Sequence, residues 1–169
     1  SNCKNDKEFF HHFKFLVQEL HRVIMPGRLI SFHCVNLPTG KERDGFISIR
    51  DFRGDMLRLF QSAGFVFHSE VCIWKDPVTA MYRTKALGLL HKQVRKDSSM
   101  SRQGIPDYLI TVRKLGENPE PIEGLLSEYA GNNPPPKSDD AVRDSINIWE
   151  RYASPVWMDI DQSDTLQYR

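Results

Sequence analysis

The stretch FVFHSEVCIW at residues 65–74 and the stretch DYLITVR at residues 107–113 decide the fold of this chain. Both stretches are rich in β-branched and aromatic residues and are bounded by turn-forming residues, which is typical of β-strands. The segment between them is far longer than a hairpin connection, and loops beyond roughly 12–15 residues are usually functional or disordered. The two stretches therefore predict a pair of strands that carries a long insertion.

The insertion is strongly basic, whereas the chain as a whole is nearly neutral. Its charged residues between Pro77 and Pro106 are Arg83, Lys85, Lys92, Arg95, Lys96 and Arg102, opposed only by Asp97. A cationic loop on a rigid strand pair is suited to bind a polyanion. Serine hydroxyls next to cations, as in Ser98, Ser99 and Ser101, also favour contacts with backbone phosphates. The alternative is a solvated loop whose charges only keep the chain soluble.

Composition restricts the class of protein. The 169 residues fit one domain, and 40% hydrophobic residues suffice for a core. With a net charge of +1, any attraction to nucleic acid has to come from a local patch. No apolar run approaches the roughly 20 residues that span a bilayer, and no signal peptide is recognisable. Cys3, Cys34 and Cys72 form no CxxC pair and are odd in number, which favours free thiols in the cytoplasm.

Hydrophobic periodicity and turn signals give the order of the elements. The predictions are, in chain order, a helix over residues 6–24 with an Asn5–Glu8 capping box, a strand over 28–34, a charged loop over 41–44, a helix over 49–63 ended by Gly64, the two strands above, loops over 116–121 and 131–137, helices over 122–129 and 141–153, and an apolar docking segment over 154–160. This alternation predicts an α/β fold, a mixed sheet with flanking helices.

Four stretches occur in a distinctive order along the chain. They are PGRLISFHC at residues 26–34, GFVFHSEVCIWKDP at 64–77, DYLITVRK at 107–114 and SPVWMDID at 154–161. Together they resemble the amino-group DNA methyltransferases of the N6-adenine/N4-cytosine type, and most of all the permuted, beta-order members of phages and restriction systems. The resemblance spans most of the chain, although each stretch is short.

The resemblance implies a partial Rossmann-like methyltransferase fold in which residues 65–74 and 107–113 form an antiparallel pair at the sheet edge. It divides the chain into the central part of a catalytic domain at 1–115 with the basic insertion at 76–106, a target-recognition or linker region at 116–153, and a segment at 154–169 that docks back. It also implies S-adenosylmethionine as cofactor, double-stranded DNA as substrate and no membrane partner. A bacterial or phage-encoded cytoplasmic protein, with a homodimer as one arrangement, agrees with this.

Two signatures of the family are absent. The sequence has no [DNS]-P-P-[YFW] tetrapeptide, which would supply the catalytic residues, and no F-x-G-x-G turn, which would hold the cofactor. Ser1 also stands where a starting Met is usual. We therefore expect the chain to be the middle of a methyltransferase, with the catalytic residues and the main cofactor turn outside it and with negligible activity on its own.

The candidate site residues fall into two groups. His33 and Asn36 lie at the end of a predicted strand, where open α/β sheets bind their ligands, and are predicted to form the rim of a pocket. The alternative is a hydrogen-bonded strand histidine and a turn asparagine. For DNA contact, the resemblance selects Arg83, Lys85, Lys92, Lys96, Ser98, Ser99 and Arg102 in the insertion.

No metal site is predicted, because the adjacent His11 and His12 point in different directions on a helix and lack further ligands. A second functional reading is a non-catalytic phage accessory module that binds nucleic acid. A third is an α/β protein unrelated to nucleic acid, for which DNA binding would be absent or insensitive to salt.

Overall fold

Helix α1 (Asp6–Val23) opens the chain in the computed structural model, which describes residues 3–84, 104–120 and 138–160. The Asn5 side chain accepts a hydrogen bond of 3.0 Å from the Glu8 amide, so the predicted N-cap is confirmed. The Glu8 carboxylate accepts from the Lys4 amide at 2.7 Å instead of completing a capping box with Asn5. The helix ends as predicted, shortly before Gly27, which adopts a φ of 75°.

The remaining elements follow in a mixed order of strands and helices. They are β1 (Leu29–Val35), β2 (Leu37–Pro38), α2 (Lys41–Asp44), β3 (Ile49–Arg50), α3 (Phe52–Ser62), β4 (Phe65–Ile73), α4 (Pro77–Thr84), β5 (Asp107–Lys114), α5 (Ser138–Tyr152) and β6 (Val156–Trp157). The predicted helix over residues 122–129 lies outside the described residues. The predicted α/β class with a mixed sheet and flanking helices is confirmed.

The main sheet has four strands in the order β1-β5-β4-β6. Strand β5 is antiparallel to both β1 and β4, so these two strands run parallel to each other. The short β6 lies parallel to β4, where Cys72 pairs with Val156 and Ile73 pairs with Trp157. The sheet is therefore mixed, and its middle strand comes from the residues that follow the basic insertion.

The predicted antiparallel pairing of β4 with β5 is confirmed, but β5 does not lie at an edge. Ile110 of β5 has Phe32 as its neighbour on one side and Glu70 on the other. Because both sides of β5 are hydrogen-bonded to strands, β1 forms one edge of the described sheet and β6 covers part of β4 on the other side. The sequence pattern identified the strands but not their neighbours.

Two local predictions between β1 and α3 are wrong. Ile49 and Arg50 pair with Pro38 and Leu37 in a small second sheet, and α3 begins only after Asp51. The Asp51 side chain accepts from the Gly54 amide at 2.9 Å, which fixes the first turn of α3 at that residue.

The predicted charged loop over 41–44 is instead the one-turn helix α2. The Asp44 carboxylate accepts a hydrogen bond of 2.7 Å from the Gly40 amide, and Gly45 ends the turn at a φ of 81°. A Gly at this left-handed position is a common way to end a helix.

The core lies between one face of the sheet and the helices α1 and α3. Its buried residues are Val17, Cys34, Met56, Phe60, Phe65, Ile110 and Val112. Since side chains alternate along a strand, the odd-numbered residues of β1 and β5 point to the opposite face. On that face the hydroxyls of Ser31 and Thr111 are 2.8 Å apart.

Candidate functional site

Polar side chains gather where the C-terminal ends of β1 and β4 meet the N-terminal end of β5. The His33 Nε2 atom lies 2.9 Å from Asp107 Oδ2, and the Lys75 ammonium group forms an ion pair with Asp107 Oδ1. The side chain of Asp107 is 13% exposed, while that of His33 is 57% exposed. The carboxylate is thus held inside by two partners, and the imidazole remains accessible to a ligand.

Asn36 lies just beyond β1 and contacts a different set of residues. Its side-chain oxygen accepts a hydrogen bond of 3.0 Å from the Arg53 amide in the first turn of α3. The Arg53 guanidinium forms an ion pair with Glu70 and lies over the Tyr108 ring, 5.1 Å from the ring centroid. Asn36 therefore connects β1 with the start of α3, on the sheet face that carries the helices.

The two candidates predicted for the pocket rim share one end of the sheet but not one set of contacts. His33 lies on the face opposite to α1 and α3, whereas Asn36 lies on the α3 side. Each already has a polar partner, Arg53 for Asn36 and Asp107 for His33, as the alternative without a ligand expects. Their role at a pocket rim stays a prediction.

The thiols near this cluster are unsuited to nucleophilic chemistry. Burial raises the pKa of the Cys34 thiol to about 11, although the nearby Arg53 opposes the shift. Burial, aided by the Glu70 charge, also raises the pKa of Cys72. Since the thiolate is the reactive form, neither thiol is activated near neutral pH. The Tyr108 phenol also has a raised pKa, mainly through burial, and stays protonated there.

The basic insertion leaves and rejoins the sheet at this same end. Ile73 at the end of β4 pairs with Asp107 at the start of β5, and α4 begins at Pro77 with Asp76 accepting from the Thr79 amide at 2.7 Å. Arg83 belongs to α4. The other residues predicted to contact DNA, Lys85, Lys92, Lys96, Ser98, Ser99 and Arg102, lie outside the described residues.

Sequence reasoning missed Asp107, Lys75, Arg53 and Glu70. Each is a charged residue in or beside an apolar strand or at the first turn of a helix, which is the only signal the sequence offers. Their contacts depend on the register between β4 and β5 and on the packing of α3, neither of which sequence spacing determines.

Within residues 3–84, 104–120 and 138–160, no three His, Cys, Asp or Glu side chains are grouped closely enough to hold a metal ion. His11 and His12 lie next to each other on α1 with ring centroids 5.6 Å apart. In the same described part of the chain, no helix combines the length and apolar character that a membrane crossing needs.

No protein-family model and no curated protein matches this chain. Among solved structures, it resembles a protein of Thermus thermophilus, assigned as a DNA modification methylase and crystallised with S-adenosyl-L-methionine, with a TM-score of 0.59, 16% identity, and coverage of 91% of this chain and 51% of that one.

Two further crystal structures of the same Thermus protein give similar values. One matches with a TM-score of 0.59 at 14% identity, covering 96% of this chain and 54% of that one. The selenomethionine derivative gives 0.57 at 14% identity, with coverages of 91% and 51%. The likeness shows a shared fold, and this chain spans about half the length of these structures.

Proposed function

We propose that this chain forms part of an S-adenosylmethionine-dependent DNA methyltransferase that acts on the exocyclic amino group of adenine (N6) or cytosine (N4). One observation carries the proposal: the strand order β1-β5-β4-β6 forms a fold shared over 91% of the chain with a protein assigned as a DNA modification methylase. The stretches that resemble the beta-order, phage and restriction type lie on these four strands, which supports the finer assignment.

The residues of this chain would position the base and the DNA, and they would not take part in the methyl-transfer step itself. An enzyme that modifies a base extrudes it from the duplex and surrounds it with hydrogen-bonding and stacking groups. S-adenosylmethionine would supply the methyl group, but this sequence lacks the F-x-G-x-G turn, so none of its residues is assigned to the main cofactor site. His33 and Asn36 would line the rim of the pocket at the sheet end, where such folds bind ligands.

The insertion would contact the DNA backbone. It starts and ends at the Ile73–Asp107 pair, beside His33, so a duplex held by its cations would lie at the same end of the sheet as the pocket rim. Arg83, Lys85, Lys92, Lys96 and Arg102 would neutralise phosphates, and Ser98 and Ser99 would add hydrogen bonds. A DNA substrate in turn favours a cytoplasmic location, and a homodimer stays a prediction.

Methyl transfer to unmethylated DNA tests the proposal. A protein that contains these residues together with a P-P-aromatic tetrapeptide and an F-x-G-x-G turn is expected to transfer tritium from methyl-labelled S-adenosylmethionine to DNA. Digestion to nucleosides is expected to give N6-methyladenine or N4-methylcytosine. The label in 5-methylcytosine would contradict the amino-group assignment.

The 169 residues alone serve as the matched control, because they contain neither signature. This shorter chain is expected to bind duplex DNA without measurable transfer, and turnover by it would contradict the assignment of the catalytic residues outside it. Salt-dependent DNA binding by the longer protein without any transfer would instead favour the non-catalytic accessory module.

A further inference from the structure

A cleft of about 800 Å³ opens at the start of α1. Its wall includes Leu37, which directly follows Asn36 in the chain, and Phe52, which directly precedes Arg53. The cleft therefore adjoins the link between β1 and α3, at the sheet end where the insertion also begins. Its cationic lining consists of Lys4, Lys7, Arg43 and Arg50.

The charges in this cleft do not balance. Its two carboxylates already have partners: Asp6 forms an ion pair with Arg50, and Asp44 lies 2.9 Å from an Arg43 nitrogen. Hydrogen bonds from Arg43 and from the Gly40 amide lower the pKa of Asp44, so this carboxylate remains ionised near neutral pH. Lys4 and Lys7 have no ion pair with any residue that the structure describes, which leaves two uncompensated cations.

Arg50 adds a second, independent observation. Its Nε atom is buried and finds no hydrogen-bond acceptor in the described part of the chain, although NH1 of the same guanidinium contacts Asp6. Buried N–H groups are nearly always paired, and a guanidinium offers a planar fork that suits phosphate oxygens. The cleft thus carries two lysines without an ion pair in the described part of the chain, and one of its lining arginines has a hydrogen-bond donor that is not used.

We propose that this cleft binds phosphate groups of a DNA strand, as a second backbone contact in addition to the basic insertion. The inference rests on the proposed function. Lys4, Lys7 and Arg43 are exposed and all line the cleft, and several cations in one cleft suit the repeated charges of a polyanion. A free phosphate ion shares this chemistry, and the experiment separates the two sources.

The test uses Lys4→Gln, Lys7→Gln and the double variant in the full chain. Lys14→Gln is the matched control, because Lys14 is an exposed lysine of α1, the helix that contains Lys7, and it does not line the cleft. Binding of a short DNA duplex is measured by fluorescence anisotropy between roughly 50 and 200 mM salt, where the slope of log K against log salt is about −0.9 per neutralised phosphate.

Each cleft substitution is expected to reduce the slope by about 0.9 and to weaken binding several-fold at low salt, while Lys14→Gln leaves the slope unchanged. Unchanged slopes for the cleft variants, or equal reductions for Lys14→Gln, would overturn the inference. In a second arm, inorganic phosphate is titrated by calorimetry at constant ionic strength. Saturable phosphate binding that the double variant loses, together with an unchanged DNA slope, would identify a small-anion site and also overturn it.

The two proposals fail separately. Reduced slopes for the cleft variants, together with no methyl transfer by the longer protein that carries both signatures, would support the cleft and contradict the methyltransferase. Methyl transfer by the longer protein, together with salt slopes that Lys4→Gln and Lys7→Gln leave unchanged, would support the methyltransferase and contradict the cleft. Absence of any duplex binding would contradict both.

Discussion

The Nε2 atom of His33 and the Oδ2 atom of Asp107 lie 2.9 Å apart and join the C-terminal end of β1 to the N-terminal end of β5. The same carboxylate also pairs with Lys75 just beyond β4. We expect Asp107→Asn to lower the free energy of unfolding by about 1–3 kcal/mol, because it leaves the partly buried Lys75 ammonium without its counter-charge. Urea denaturation followed by circular dichroism measures this change.

Asp159→Asn is the control for that substitution, since Asp159 is exposed and the same acid-to-amide change there removes no described ion pair. Its effect is expected to stay within about 0.5 kcal/mol. Equal effects of the two variants would show that the three-residue contact contributes nothing to stability.

Gly27 is predicted to tolerate no side chain. Its φ is 75°, and a methyl group on it would lie 2.6 Å from the backbone nitrogen of Asn118. Gly27→Ala is therefore expected to destabilise the fold by about 1–3 kcal/mol, measured by thermal and urea denaturation.

Gly40→Ala provides the comparison. Gly40 has a φ of −127°, and a methyl group there would meet nothing within 4 Å. The change is expected to be neutral within about 0.5 kcal/mol. An equally neutral Gly27→Ala would contradict the close packing of the Asn118 backbone against Gly27.

Cys34 is expected to make stability depend on alkaline pH. Its thiol has an ordinary pKa of 9.0 when unfolded and about 11 when folded, so the folded chain holds the proton to higher pH. The contribution is fully present below pH 9 and is lost as the pH rises from about 9 toward about 11. Urea midpoints of the parent chain should therefore fall more steeply over this range than those of Cys34→Ala.

The control for this prediction is the same comparison at neutral pH, where the Cys34 thiol is protonated in both the folded and the unfolded chain. The difference between parent and Cys34→Ala there reports packing alone, and the change in that difference at high pH reports ionisation. A constant difference across the range would contradict the burial-driven shift.

Phe60 is the central aromatic residue of the core. It is 1% exposed, stacks on Phe32 with ring centroids 4.4 Å apart, and contacts Phe65 at 5.6 Å. Phe60→Ala is expected to cost about 3–5 kcal/mol through lost burial and the cavity it leaves. Phe46→Ala, at a residue 58% exposed, should cost about 0.5 kcal/mol or less in the same denaturation experiment.

The basic insertion is predicted to contribute to the salt dependence of DNA binding. Single Gln substitutions of Lys85, Lys92 and Lys96 are each expected to reduce the slope of log K against log salt by nearly one unit, because each would remove one proposed phosphate contact. Wild-type slopes for all three, measured beside Lys14→Gln, would show that the insertion is a solvated loop.

Elements with strong local signals were predicted well from sequence. The apolar periodicity and the Asn5 cap gave α1 nearly to its ends, and the aromatic and β-branched runs gave β4 and β5. The pairing of β2 with β3 was not predicted, because strands of two residues show no periodicity. Ile49 and Arg50 also directly precede α3, so their sequence was interpreted as the first turn of that helix.

Contacts between distant residues were not predictable in the same way. The contact of His33 with Asp107 joins residues far apart in the chain, and the order of the three main strands decides it. Four cationic residues of the cleft come from separate parts of the chain, and nothing in their spacing shows that they line one cavity. They are Lys4 before α1, Lys7 in its first turn, Arg43 in α2 and Arg50 in β3.

The position of β5 has a consequence for the nascent chain on the ribosome. The strand that is central in space is the last of the three long strands to be synthesised, and β1 and β4 pair with it rather than with each other. Until Lys114 has left the exit tunnel, the apolar faces of α1 and α3 have only an incomplete sheet to cover them. We therefore expect β1 and β4 to gain their common partner late, and such non-local pairing is expected to make folding slow and to leave apolar surface accessible to chaperones in the meantime.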